Sequence, residues 1–115
     1  MFLRRRVKPE QFKAKWIALQ KLCANRDTWA QAVINADKLL DEALKKRRFK
    51  GKSMGERLVK AQRQLTDNDA VWFAHNYAKK LIEGSVNKLR EADIKRALVG
   101  YRQALRDLEV LSDKQ

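Results

Sequence analysis

The sequence predicts an all-α fold, an antiparallel up-and-down bundle of four long helices plus one short one, and three observations carry that expectation. The 115 residues contain one proline and four glycines, so almost nothing breaks a helix. Strict apolar–polar alternation, the mark of a half-buried strand, is absent. Apolar residues instead recur every three or four positions along nearly the whole chain, which places them on one face of successive helices.

Pro9 suits the first turn of a helix, where its missing N–H goes unused. Phe12, Trp16, Leu19 and Cys23 then fall on one face, predicting a first helix over 9–24 with Cys23 as a small core residue. "ANRDT" (24–28) reads as a turn in which Asp27 or Thr28 caps the next helix. Trp29, Ala32, Val33, Ala36, Leu39, Leu40, Ala43 and Leu44 form a continuous stripe, predicting a second helix that ends at Lys46 or Arg47. Its outer face places Asp41 before Lys45 and Glu42 before Lys46, the favourable i,i+4 order.

"RRFKGKS" (47–53) reads as a basic loop in which Gly51 stops the helix, and Ser53 with Glu56 has capping-box spacing for a short third helix carrying Met54, Leu58, Ala61 and Leu65. "TDND" (66–69) signals a turn and an N-cap. Val71, Trp72, His75, Ala78, Leu81 and Ile82 mark the inner side of a fourth helix that Gly84 should close. The last helix, 90–112, carries Ile94, Ala97, Leu98, Tyr101, Ala104, Leu105, Leu108 and Leu111 on one face. Gly100 inside it lowers helix propensity by about 1 kcal/mol against alanine and marks a close approach by a neighbouring helix. Trp16, Trp29 and Trp72 each join an apolar stripe and read as core anchors. The organisation expected is a basic tail, 1–8, and one helical domain, 9–115.

Composition narrows the function classes. The 27 Lys and Arg against 14 Asp and Glu leave a formal charge of +13, which favours an anionic partner, nucleic acid before a membrane surface. One cysteine permits no intrachain disulfide, no apolar run reaches the length of a membrane span, and "MFLRRRVKPE" lacks the apolar core of a secretory signal; the cytoplasm is the expected compartment. "KKRRFKGK" (45–52) is the densest basic cluster, with Lys45, Lys46, Arg47, Arg48, Lys50 and Lys52 around Phe49. It reads either as a phosphate-contacting surface in which Phe49 stacks on a base, or as a solvated loop at a helix C-terminus, where the dipole favours cations anyway. Lys95, Arg102 and Arg106 extend a basic side on the last helix. No recognition helix, RNP-type aromatic pair or zinc spacing supports sequence-specific DNA reading. Asp37 and Asp41 stand one turn apart without a His or Cys at ligand spacing, so they read as solvated charges or partners of Arg57, and no metal or cofactor is expected.

"HNYAKKLIEGS" (75–85) holds the only histidine beside lysines, which raises the question of a nuclease site. The segments 29–62, 67–84 and 91–111 together resemble small bacterial helical proteins of the HEPN (higher eukaryotes and prokaryotes nucleotide-binding) superfamily, from Trp16 onward. The resemblance is carried by Ala36-Asp37-Lys38-Leu39-Leu40-Asp41, by Gly51 and Met54-Gly55-Glu56-Arg57-Leu58, and by Trp72 with Ala74-His75. RNase members carry an arginine followed by a histidine on a late helix, approximately "AHKxRNxxxHE" in the subfamily resembled. Laid onto this chain, the arginine falls on Ala78, the following polar position on Lys79 and the histidine on Glu83, while His75 matches a histidine preceding the motif. Histidine supplies proton transfer near neutral pH, and arginine the planar phosphate clamp, in metal-independent RNA cleavage. Glu83 with Lys79 or Lys80 is a weaker substitute. The resemblance therefore implies a bundle with no catalytic residues, binding RNA or another polyanion, with homodimers a further implication. The alternative is an assembly module pairing with itself or with an acidic protein, and after that a residual ribonuclease. His75 by itself reads as a boundary histidine bonded to a carboxylate or carbonyl.

Overall fold

The computed structural model describes residues 8–112, and among them the regular structure is helical, with no strand. Five α-helices follow in order: α1 (Pro9–Lys21), α2 (Trp29–Lys46), α3 (Met54–Ala61), α4 (Asn68–Glu83) and α5 (Glu91–Asp107). Two 3-10 turns, Leu22–Ala24 and Arg26–Thr28, join α1 to α2. Residues 1–7 of the expected basic tail lie outside the described residues, and Lys8 is the exposed N-cap of α1.

The centre of the assembly is α2, which packs against α1, α3, α4 and α5, while α4 and α5 also pack on each other. Its apolar stripe explains this position. Ala32, Val33, Ala36, Leu39, Leu40, Ala43 and Leu44 are all buried, and the alanines among them let neighbouring backbones come close. Phe12, Trp16 and Leu19 bury the inner face of α1. Cys23 departs from expectation: α1 ends at Lys21, and the thiol sits half-buried in the following 3-10 turn, near Leu19 O, with its pKa pushed up by burial. Ile82 also departs. The final turn of α4 runs past the core, leaving Leu81 half-buried and Ile82 62% exposed.

Helix ends follow one device used three times. At the end of α4, Gly84 takes φ 74 and the Ser85 N–H donates to Lys80 O, the Schellman closure expected for glycine. The same closure ends α2, where Arg48 takes φ 68 and the Phe49 N–H donates to Leu44 O. It also ends α5, where Glu109 takes φ 62 and the Val110 N–H donates to Leu105 O. The helix expected to reach 112 therefore stops at Asp107, while Leu108 at its C-cap and Val110 and Leu111 beyond the turn are still buried. Gly51 is not the residue that stops α2. A Cβ there would stand 2.7 Å from Glu56 Cβ, so this glycine permits the loop to lie against α3.

N-caps divide between expectation and correction. Ser53 Oγ accepts from the Glu56 N–H at 3.2 Å, and the Glu56 carboxylate accepts from the Lys52 N–H at 2.9 Å, one residue before the reciprocal bond of a standard capping box. Asp67 caps α4 through the Ala70 N–H. Neither Asp27 nor Thr28 caps α2. Asn25 instead accepts from the Asp27 N–H, and the Thr28 hydroxyl donates back to carbonyls of the preceding turn.

Candidate anion-binding site

The last turn of α2 carries Lys45 and Lys46, both exposed, and the left-handed turn that follows throws Arg48 and Lys50 outward on either side of Phe49. Phe49 occupies the position after the left-handed residue, where an apolar side chain packs back on its own helix; it is half-buried against the core. Lys45, Arg48, Phe49, Lys50, Gly51 and Arg57 surround an open hollow of about 430 Å³. No carboxylate lines it.

Asp41, beside the lining residue Arg57, is already compensated. Arg57 Nε and Nη2 donate to the two carboxylate oxygens of Asp41 at 2.7 and 2.9 Å, a bidentate pair that joins α3 to α2. Its Nη1 donates to Gly51 O at 2.7 Å, which fixes the loop from below. The Asp41 hydrogen bonds hold the Arg57 guanidinium above its ordinary pKa, so it stays charged. Lys45 Nζ stands 3.7 Å from Asp41 Oδ2, a loose i,i+4 pair that leaves the ammonium 62% exposed. Asp41 thus is the partner of Arg57 that the sequence offered.

Arg47 has a different role from its neighbours. Its Nε donates to Leu108 O at 2.8 Å and its Nη2 to Glu109 O at 3.1 Å, so the guanidinium closes the carbonyl ends of α5 from the end of α2. It joins two helix ends instead of facing the hollow. Lys46 and Lys52 are exposed on the same corner. On α5, Lys95 is exposed and paired with Glu91 at 3.2 Å, while Arg102 and Arg106 are half-buried.

Lys79 and Lys80 are exposed on α4 but stand away from this corner. Arg26 Nη2 donates to Leu89 O at 2.8 Å, which puts the connection after α4 beside the start of α2, whereas Arg47 binds the end of α5. From the level of the Asp37–His75 contact, Lys45 lies about 12 Å along α2 and Lys79 about 6 Å along α4.

The residues of the nuclease question are sorted by burial. Ala78, where the resemblance puts the arginine, is fully buried in the core, so a guanidinium there would have no room. Lys79 and Glu83 are exposed. His75 is 8% exposed, and its Nδ1 lies 3.0 Å from Asp37 Oδ1; because an ionised carboxylate only accepts, Nδ1 carries the proton. The Tyr101 hydroxyl lies 2.8 Å from the same oxygen and 2.9 Å from Ala74 O, sharing one proton between two acceptors. Burial first, and the Asp37 charge second, push the Tyr101 pKa far up, so it remains a phenol. Asp37 is accordingly an inner residue joining α2, α4 and α5, not a solvated charge. Its tyrosine partner was not visible in the sequence, where Tyr101 read as one more apolar-face residue.

Asp37 and Asp41, one turn apart on α2, are held by different partners, and among the described residues no cluster of three metal-ligating side chains occurs. No helix of the described residues is long and apolar enough to cross a membrane. No family model, no curated protein and no solved structure matches this chain.

Proposed function

We propose that this protein is a noncatalytic, HEPN-like helical bundle that binds RNA or another polyanion through the basic corner at the end of α2. One observation carries the reading: Lys45, Arg48 and Lys50 rim one hollow with no carboxylate among its lining residues, on a chain of charge +13, while the lining Arg57 is paired with Asp41. Lys46 and Lys52 widen the positive field around it, and Lys79 and Lys80 form a second contact point on a long anion. The buried Ala78 supports a noncatalytic role, since the motif position nearest the core carries packing and no cation.

The helix lengths and the contacts at the helix ends support an up-and-down antiparallel arrangement of α1, α2, α4 and α5, with α3 as the short element. In this reading the protein acts in the cytoplasm, and pairing as a homodimer or with an acidic protein is the competing use of the same surface. Binding to a generic RNA, followed by fluorescence anisotropy, should weaken about tenfold or more between about 50 and 200 mM salt. Absence of binding at the lowest salt refutes the polyanion reading.

A further inference from the structure

We infer that the hollow at the end of α2 is a site for a terminal phosphate group, a dianionic phosphomonoester, in preference to the singly charged diesters along a nucleic-acid backbone. The inference rests on the polyanion reading and narrows it to one chemical group at one place.

The first ground is the distribution of charge. Lys45, Arg48 and Lys50 are exposed and rim one hollow with no carboxylate among the lining residues, while the charge of the lining Arg57 is matched by Asp41. Cations that converge on one point reward charge concentrated on one group. Cations spaced along a track instead reward a charge repeated along a chain.

The second ground is rigidity. The turn that carries the cations is fastened at three points. Phe49 is packed against the core, Arg57 Nη1 holds Gly51 O, and Gly51 lies so close to Glu56 that no Cβ fits. Arg48 occupies the left-handed position of the helix closure, where glycine is unstrained and arginine is not. The chain thus carries a cation at a backbone position that favours glycine, and that residue is exposed and lines the hollow. The third ground is size. A volume of about 430 Å³ accommodates a phosphate with the ester group attached, and the half-buried Phe49 gives that group an apolar wall.

The test compares two short RNAs labelled at the 3′ end, one with a 5′-phosphate and one with a 5′-hydroxyl, on the full chain. The phosphorylated RNA should bind about fivefold more tightly. The advantage should shrink from about pH 7.5 to about pH 5, because a phosphomonoester loses its second charge near a pKa of about 6 while a diester does not titrate there. Arg48→Gly should abolish the advantage and leave thermal stability unchanged or raised, since glycine relaxes the left-handed turn. Lys50→Ala provides a second variant with the same expected loss. Competition by adenosine monophosphate would place the source in free nucleotides, and competition only by 5′-phosphorylated oligomers would place it in nucleic-acid ends; either supports the site. Equal binding of the two RNAs overturns the inference and leaves the polyanion reading standing. Binding of neither overturns both. A phosphate advantage that survives in folded Arg48→Gly and Lys50→Ala puts the phosphate elsewhere and also overturns it.

Discussion

Replacing Gly100 with alanine should destabilise the protein, although helix propensity alone predicts the reverse. In the interior of α5, alanine is favoured over glycine by about 1 kcal/mol. The added Cβ, however, would stand 2.7 Å from Ala70 O, 3.0 Å from Ala70 C and 3.4 Å from Ala70 Cβ. Two of these atoms belong to the backbone of α4, so no side-chain rotation relieves the clash. The helix itself must move, and it carries Val71, Ala74, His75 and Ala78 in the core. Overpacking of that kind costs about 3 kcal/mol at the upper end of its range, giving a net loss of about 2 kcal/mol. For a domain of this length that corresponds to a fall in melting temperature of about 8 °C. Urea unfolding followed by the fluorescence of the three tryptophans measures it, provided the slope with urea is unchanged. Gly55→Ala is the comparator: its nearest contacts would be Trp72 Cη2 at 3.6 Å, Ser53 Oγ at 3.8 Å and Trp72 Cζ3 at 3.9 Å, all ordinary van der Waals distances, so the change should be neutral or stabilising. A Gly100→Ala protein as stable as the parent, or more so, would refute the packing argument.

Tyr101→Phe removes the hydroxyl shared by Asp37 and Ala74 and should cost about 1–2 kcal/mol by the same assay. Because the folded-state pKa of Tyr101 is raised, its contribution is complete below the unfolded tyrosine value near about 10 and declines as pH rises above it. The parent should therefore lose stability on the alkaline side more steeply than Tyr101→Phe, and identical alkaline limbs would count against burial of the phenol. Arg57→Lys exchanges the bidentate pair with Asp41 for a single point contact and should cost about 1–2 kcal/mol, read as a lower urea midpoint; an unchanged midpoint would mean that the pair adds nothing to the α2–α3 junction.

The apolar stripe of α2 was legible because burial of a helix face is written at a spacing of three or four residues, and every residue from Ala32 to Leu44 on that stripe is buried. Caps whose bonds span three residues were legible for the same reason, as at Ser53 and Asp67. The end of α5 was not. Leu108 and Leu111 fit the helical period, yet Leu108 is the residue that ends α5 and Leu111 buries after a left-handed turn at Glu109, a residue whose type gives no sign of positive φ. At the candidate site, the cations of 45–52 were visible as a cluster, but their division was not. Arg47 and Arg48 are adjacent and alike, and only the position of α5 makes one a clamp on Leu108 and Glu109 while the other faces the hollow.

What the sequence by itself determined is the all-helical class, the central stripe of α2, the close approach at Gly100 and the strong positive charge, all of which depend on residues near one another in the chain or on composition. What only the tertiary structure decided is where long-range partners meet. Asp37, His75 and Tyr101 come from three helices, and Asp41 finds Arg57 across a loop. Lys79 and Lys80 stand on α4, away from the cations of 45–52 at the end of α2. A hydrogen bond is decided within about 3 Å, whereas chain position fixes distances only across a turn or two of helix, so which polar groups pair is settled by how the helices pack.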